Sequence, residues 1–154
     1  MIIVGYQGIG KSSIVKSHRG FIDLESSNFF VDGKRADNWY VVYCNIANHL
    51  SEQGYSVFMS SHEVVRSQLK HSKQRKLIIC PSLALKDEWI DRLQKRYDLT
   101  QIEKDYKALM NAVDRYSENI QELLSEDGFE KIVIDDIDYK LEDLLNSYPE
   151  YFVR

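Results

Sequence analysis

The sequence predicts a single three-layer α/β/α domain built on a five-stranded parallel sheet. Five short apolar runs are distributed along the chain, at residues 2–4, 21–22, 55–59, 77–80 and 132–134. Strands that are covered on both faces are almost continuously apolar, as these runs are. Amphipathic segments separate the runs, and such alternation is typical of α/β folds. A chain of 154 residues has room for one compact domain, so we expect one domain over residues 1–154.

Composition excludes several classes of protein. Charged residues make up 29% of the chain, but the net charge is only −4, so we expect no stable binding to nucleic acid. The two cysteines, Cys44 and Cys80, lie in apolar segments without the spacing of a metal site, which favours buried reduced thiols. No apolar run approaches the 18 or so residues of a membrane span or resembles a signal peptide. We therefore expect a cytoplasmic protein that does not bind membranes.

The first apolar run leads directly into a phosphate-binding loop. Residues 5–12 read GYQGIGKS and match the pattern G-x-x-x-x-G-K-[ST] at every fixed position. We expect Lys11 to bridge the β- and γ-phosphates of ATP and Ser12 to enter the Mg²⁺ shell, since backbone N–H groups cradle the phosphates in such loops. The predicted nucleotide-binding residues are Gly8, Ile9, Gly10, Lys11, Ser12 and Ser13.

Many nucleotide-binding proteins share this loop, and the rest of the chain narrows the choice. The N-K-x-D tetrapeptide of GTPases is absent, and recombination and helicase motors are usually much longer than 154 residues. With its additional internal glycine, Gly8, the loop resembles that of small nucleoside monophosphate kinases, a group that includes adenylate, guanylate and phage-type deoxynucleotide kinases. The resemblance covers nearly the whole chain, although the loop is its only strong motif. It implies a kinase that uses ATP and Mg²⁺ and a (deoxy)nucleoside monophosphate as the acceptor.

The second apolar run ends in two acids, Asp23 and Glu25. Alternate residues of a strand point to the same side, so both carboxylates are expected at the mouth of the ligand crevice. Phosphoryl transfer needs a carboxylate there to order a Mg²⁺-bound water or to orient the acceptor. We therefore expect Asp23 to be a catalytic residue and a metal ligand, and Glu25 to contact the acceptor.

The resemblance places the acceptor site in the segment that follows. It implies that Arg35 binds the acceptor phosphate, that Phe29, Phe30 or Tyr43 packs against its base, and that Arg66 is a second phosphate-binding residue. The sequence departs from the pattern at residues 60–62, which read Ser-Ser-His where adenylate kinases have an acid. This departure leaves Asp23 as the expected Mg²⁺ carboxylate.

Three amphipathic stretches predict the helices of the central and C-terminal parts. Residues 39–50 form an apolar stripe that ends before Gly54, and residues 89–97 form a second. The third is a seam of residues spaced three or four apart, which we expect to be one continuous helix: Leu99, Ile102, Tyr106, Leu109, Val113, Tyr116, Ile120 and Leu123. Packing against the domain's own neighbouring helix is its expected use, and a coiled coil, such as one in a homodimer, stays open as an alternative.

Residues 85–126 are expected to form a helical lid between the fourth and fifth strands. Arg92 and Arg96 lie four residues apart and therefore share one helical face. The pattern R-L-x-x-R resembles the lid of guanylate-type kinases, which implies that both arginines are catalytic residues that stabilise the transferring phosphoryl group.

The last apolar run ends in Asp135 and Asp136, as do the Mg²⁺-binding strands of ATPase motors. If this strand lies beside the phosphate loop, Asp135 is the metal ligand and the protein is an ATPase or a nucleotide-regulated binding module. A kinase for a non-nucleotide small molecule is a further alternative, because it shares every loop residue and differs only in its acceptor pocket.

Overall fold

A computed structural model describes residues 1–147 of the chain. The helices and strands are, in chain order, β1 (Ile2–Gly5), α1 (Lys11–Ser17), β2 (Phe21–Asp23), β3 (Phe30–Val31), β4 (Lys34–Arg35), α2 (Trp39–Glu52), β5 (Ser56–Met59), α3 (Glu63–Leu69), β6 (Lys76–Pro81), α4 (Lys86–Thr100), α5 (Glu103–Leu124), β7 (Glu130–Ile134) and α6 (Leu141–Asn146). Two short 3₁₀ turns, Ser26–Phe29 and Leu83–Leu85, precede β3 and α4. None of the helices within residues 1–147 is both long and apolar enough to cross a membrane.

Five strands form one parallel sheet in the order β2-β5-β1-β6-β7, which confirms the predicted fold class. The central strand β1 pairs with β5 on one side and with β6 on the other, and its residues Ile2, Ile3 and Val4 are fully buried. Helices on both faces cover the sheet, so strands with apolar residues at successive positions are stable there. Both cysteines are buried free thiols as predicted, and burial raises the pKa of each to about 12.

The segment between β2 and α2 contains an element that the sequence did not predict. Strands β3 and β4 form a two-stranded antiparallel hairpin in which Phe30 pairs with Arg35. Asp32 and Gly33 form its turn, both with positive φ angles of 51° and 78°. An Asp-Gly turn is a recognised hairpin signal, but strands of two residues are too short to show a periodic pattern.

The prediction of one continuous helical seam from Leu99 to Leu123 was wrong. The chain leaves α4 at Gln101, whose φ is 55°, and α5 begins after Ile102. Because the chain changes direction at Gln101, the apolar faces of α4 and α5 do not form one stripe. Leu99, near the end of α4, is 88% exposed. The later part of the seam is buried as expected, at Leu109, Tyr116, Ile120 and Leu123, whereas Ile102, Tyr106 and Val113 are exposed.

Helix α5 lies along the edge of the sheet at which the parallel strands end. The Tyr116 hydroxyl donates a hydrogen bond of 2.8 Å to the carbonyl of Ser82, which follows β6. Gln7, which follows β1, donates a hydrogen bond of 2.8 Å to the carbonyl of Ala108. Lys104 donates to the carboxylate of Glu25, which follows β2. Because ligands of open α/β sheets bind at this edge, α5 covers the crevice where a ligand is expected.

Candidate functional site

The phosphate loop joins β1 to α1 and has the backbone conformation that anion binding needs. Gly8 and Gly10 have φ angles of 85° and 101°, a region that residues with a Cβ atom rarely adopt. A Cβ on Gly8 would lie 3.0 Å from Cδ2 of Leu93, so the loop also packs closely against α4. No side chain caps the N-terminus of α1. Its N–H groups therefore add to the positive electrostatic potential around the loop.

Four charged side chains form a cluster beside the loop, in which two neighbouring carboxylates each have one lysine partner. Nζ of Lys11 lies 3.7 Å from Oδ1 of Asp23, and Nζ of Lys104 lies 2.8 Å from both carboxylate oxygens of Glu25. The structure thus brings the two predicted carboxylates to the same side of the crevice. It adds Lys104 from α5, which sequence reasoning missed.

The two carboxyl groups of this cluster differ in acidity. Burial raises the pKa of Asp23 above the usual aspartate value, and the positive charges of Lys11 and Lys104 only partly oppose this effect. Burial acts on Glu25 too, but its hydrogen bonds with Lys104 leave its pKa below the usual range. Oδ1 of Asp23 is buried and accepts no hydrogen bond from the described residues. This oxygen is therefore suited to accept a proton or to bind a water held by Mg²⁺.

The predicted metal ligands are Ser12 and Asp23, and the donor chemistry fits Mg²⁺. Within residues 1–147, no group of three His, Cys, Asp or Glu side chains could hold a metal ion by itself. Mg²⁺ in kinase sites is held by one or two protein oxygens together with substrate phosphates and waters. A hydroxyl at the loop and one carboxylate at the crevice are therefore a sufficient set of protein ligands, and their role stays a prediction.

The predicted acceptor residues Arg35 and Tyr43 lie in an aromatic cluster that follows β2. The Arg35 guanidinium lies between the rings of Phe30 and Trp39, at 4.3 and 4.4 Å from their centroids, and hydrogen-bonds to Ser26. The Tyr43 ring packs on Trp39 at 5.5 Å. Stacking on both faces fixes the orientation of the guanidinium.

The Tyr43 hydroxyl joins the ends of two strands. It donates a hydrogen bond of 2.6 Å to the carbonyl of Leu24 and accepts one of 2.9 Å from the N–H of Ser60. Burial raises the pKa of this phenol to about 12. Tyr43 therefore has a structural position between β2 and β5, and contact with an acceptor stays a prediction.

Arg66 forms ion pairs with Glu122 of α5 and with Glu126, which follows that helix. Its side chain is 6% exposed, and its guanidinium lies 2.6 Å from the carboxylate of Glu126 and 3.3 Å from that of Glu122. Its Nε donates to the carbonyl of Ser61. The charge predicted to bind the acceptor phosphate is thus neutralised within the fold.

The two arginines of the predicted lid have different surroundings. Arg92 lies against the phosphate loop, where its guanidinium donates to the carbonyl of Gly8 at 3.4 Å and to that of Ile137 at 2.7 Å. Arg96 pairs at 3.0 Å with Asp105, a nearly buried carboxylate at the start of α5. Arg92 therefore lies at the loop, whereas Arg96 forms an ion pair at the corner between α4 and α5. Motion of these helices as a lid stays a prediction.

A cavity of about 320 Å³ lies on the α1 side of the loop. It is lined by Gly10, Ser13, Ser17, Arg92, Tyr139 and Glu142, among others. This volume is at the lower end of the range of about 300–1,000 Å³ for small-molecule sites. The cavity adjoins the loop at Ile9 and Gly10.

The competing acids lie at the edge of the sheet. β7 pairs with β6 and is separated from β1 by that strand, so Asp135 does not follow a neighbour of β1. Asp135 and Asp136 are exposed, and Oδ1 of Asp136 accepts a hydrogen bond from the N–H of Asp138. The strand arrangement that the ATPase alternative requires is therefore not the one observed.

Sequence reasoning missed the contacts of three residues at the loop: Gln7 within it, and Lys104 and Tyr139 beside it. Gln7 occupies a variable position of the loop motif, and Lys104 belongs to the stretch where the helix boundary was misplaced. Tyr139 lies between β7 and α6, and its hydroxyl donates a hydrogen bond of 2.7 Å to the carbonyl of Ile9. No local pattern marks these residues, because each acts across a large sequence separation.

Comparison with known proteins supports the fold. No protein-family model matches the chain, and no curated protein matches its sequence. Among solved structures, a shikimate kinase from Bacteroides thetaiotaomicron is similar, with a TM-score of 0.51 and 13% sequence identity. The match covers 97% of this chain and 95% of that protein. The chain therefore has the P-loop α/β fold that this kinase also has.

Proposed function

We propose that the protein is an ATP-dependent phosphotransferase that transfers the γ-phosphoryl group of ATP to a small acceptor. The observation that carries this proposal is the position of Asp23, which ends β2 and lies 3.7 Å from the loop lysine Lys11. β2 and β1 are separated by β5, that is, by two strand spacings or about 10 Å. An acceptor between the loop and Asp23 would thus lie next to the terminal phosphate.

Each residue has a distinct role in this proposal. The loop N–H groups and Lys11 stabilise charge on the phosphoryl group, while Ser12 and Asp23 hold Mg²⁺ directly or through water. When bound, ATP with Mg²⁺ supplies the phosphoryl group. Asp23 also lies where a carboxylate can accept or orient the proton of the acceptor hydroxyl.

A (deoxy)nucleoside monophosphate is the first candidate acceptor. Its base would be accommodated by the aromatic cluster of Phe29, Trp39 and Tyr43, whose rings pack within 5.3–6.3 Å of one another. Aromatic rings of this kind stack on bases. Arg35, held at the edge of the same cluster, would bind the phosphate.

A non-nucleotide acceptor is the second candidate, and the ion pairs of Arg66 with two glutamates favour it. With its guanidinium paired to Glu126 and Glu122, the crevice has one fewer cation for an acceptor phosphate than the sequence suggested. One structurally similar protein is a shikimate kinase, so its fold accommodates a small acceptor that is not a nucleotide.

A coupled assay for ADP formation tests the proposal with two panels of acceptors. One panel contains the common ribo- and deoxynucleoside monophosphates, and the other contains small hydroxy acids and polyols, including shikimate. We expect acceptor-dependent turnover that Asp23→Asn lowers by about 10²–10⁴-fold, the usual contribution of a general base. Asp135→Asn, a substitution at an exposed acid that follows β7, is the matched control and should retain activity.

The opposite pattern would overturn the proposal. ATP consumption that no acceptor stimulates, together with an active Asp23→Asn and an inactive Asp135→Asn, would show an ATPase that uses the last strand.

A further inference from the structure

Three successive carbonyl groups of the phosphate loop accept hydrogen bonds from side chains outside the loop. Nε1 of Trp89 donates to the carbonyl of Gln7 at 2.9 Å, Nη1 of Arg92 to that of Gly8 at 3.4 Å, and the Tyr139 hydroxyl to that of Ile9 at 2.7 Å. The N–H and C=O of a peptide group point in opposite directions. A loop that turns its N–H groups toward a phosphate therefore turns its carbonyls outward, where these donors lie.

The three donor side chains also pack on one another. The rings of Trp89 and Tyr139 are nearly parallel, with an interplanar angle of 11° and centroids 6.0 Å apart. The Arg92 guanidinium lies 4.6 Å from the Trp89 centroid and 5.1 Å from that of Tyr139, and it donates a hydrogen bond of 3.0 Å to the Tyr139 hydroxyl. Trp89 is fully buried. The donors thus form one packed, hydrogen-bonded unit that joins α4 to the turn before α6.

We propose that Trp89, Arg92 and Tyr139 are positioning residues that hold the phosphate loop in its nucleotide-binding shape before the nucleotide arrives. We call these three residues the loop brace. The inference rests on the proposed nucleotide site, and it assigns to Arg92 a role at the outer side of the loop that differs from binding the transferring phosphoryl group. A loop already held in its bound conformation loses less entropy when the ligand binds, which strengthens binding.

Positioning of the loop and direct contact with the nucleoside predict different effects on ligand affinity. Arg92 and Tyr139 also line the 320 Å³ cavity, so the loss of a nucleoside contact would weaken ADP binding alone. Loss of loop positioning would weaken every ligand that the loop holds. Inorganic tripolyphosphate, which has no nucleoside, distinguishes the two effects.

The experiment measures the affinity of the full chain for ADP and for tripolyphosphate by calorimetry. We expect Tyr139→Phe to weaken both ligands by the same factor, about 3- to 10-fold, where tenfold corresponds to 1.4 kcal/mol. Arg92→Lys should act in the same way, because an ammonium cannot reproduce the planar fork that contacts Gly8, Ile137 and Tyr139. Tyr106→Phe, at a half-exposed tyrosine of α5, is the control and should change neither affinity.

Two results would overturn the inference. Weakened ADP binding with unchanged tripolyphosphate binding would identify Tyr139 as a nucleoside contact. Unchanged ADP affinity in Arg92→Lys together with a large fall in kcat would identify Arg92 as a group that acts on the phosphoryl transfer itself.

NMR order parameters of the unsubstituted protein test the inference without any variant or ligand. A held loop should give residues 7–10 the order parameters of rigid backbone, about 0.85, in the nucleotide-free protein, and values below about 0.6, typical of flexible backbone, would overturn the proposal. The binding and relaxation measurements do not depend on the acceptor. A protein that binds ADP but phosphorylates no acceptor would therefore refute the kinase proposal and leave the loop brace to be judged by these data.

Discussion

Replacement of Arg66 by methionine separates a structural from a ligand-binding role for this arginine. The guanidinium is almost fully buried and lies 2.6 Å from Glu126, whose side chain is 12% exposed. Removal of one partner from a buried ion pair costs about 3–5 kcal/mol, because the other charge is left uncompensated. Glu126 keeps Lys70 at 2.9 Å, so we take the low end, about 3 kcal/mol. For a domain of this size, that loss lowers the Tm by about 6–12 °C.

Urea and thermal unfolding of Arg66→Met, Glu126→Gln and the double variant measure this effect as a double-mutant cycle. Arg75→Met is the matched control, since its pair with Glu130 is exposed and should contribute less than about 1 kcal/mol. An Arg66→Met protein as stable as the parent, with a KM for the acceptor raised more than tenfold, would refute the structural reasoning and support the acceptor role.

The same ion pair has a predicted pH dependence. Burial alone would raise the pKa of Glu126, but Lys70 and Arg66 hold it below the usual glutamate range. A carboxyl group with a lowered pKa in the folded state contributes stability above its ordinary pKa, and this contribution is lost as the pH falls through the lowered value. The difference in stability between the parent and Arg66→Met should therefore shrink in acid.

Three further substitutions test the site. Gly8→Ala should weaken ADP binding, because φ is 85° and the new Cβ meets Leu93, whereas Gly54→Ala, at a φ of 97° in open space, should lower the Tm without affecting binding. Lys104→Met should move the acid limb of the pH profile of kcat/KM to higher pH, because removal of this positive charge raises the pKa of Asp23 further. Lys107→Met, at an exposed lysine of α5, should leave the pH profile unchanged. Tyr43→Phe leaves a backbone N–H and a carbonyl without their hydroxyl partner and should cost about 1–3 kcal/mol in urea unfolding.

The sheet could be predicted because burial on both faces leaves a local signal. Each of the five strands is a short apolar run, and the phosphate-loop motif marks the turn between β1 and α1. The positions of Lys11 and Asp23 follow from the strand ends alone. These features depend on residues close in sequence, which is where periodicity and turn chemistry are informative.

The break between α4 and α5 has no comparable signal. The apolar residues continue at helical spacing through Leu99, Ile102 and Tyr106, but Gln101 adopts a left-handed conformation and ends the first helix. Asp105 is 3% exposed and accepts from Arg96 and Thr100, so a buried polar contact stabilises the corner. A pattern read as one seam could not show that these side chains meet. For the same reason, the contact of Lys104 with Glu25 was missed.

The ion pairs and hydrogen bonds that the positive side chains already make limit which acceptor the crevice can bind. Arg66 is neutralised by Glu122 and Glu126, and Arg96 by Asp105, while Arg92 donates to carbonyls near the loop. Arg35 is one cation that an acceptor phosphate can use, and Lys104 becomes another if the phosphate displaces Glu25 from it. An acceptor with a hydroxyl and a single carboxylate makes a smaller demand on the same residues. Charged donors bind phosphate more strongly than neutral donors do. A high ratio of kcat/KM for the nucleoside monophosphates over kcat/KM for the hydroxy acids and polyols would therefore show that cations of the crevice are available to bind a phosphate.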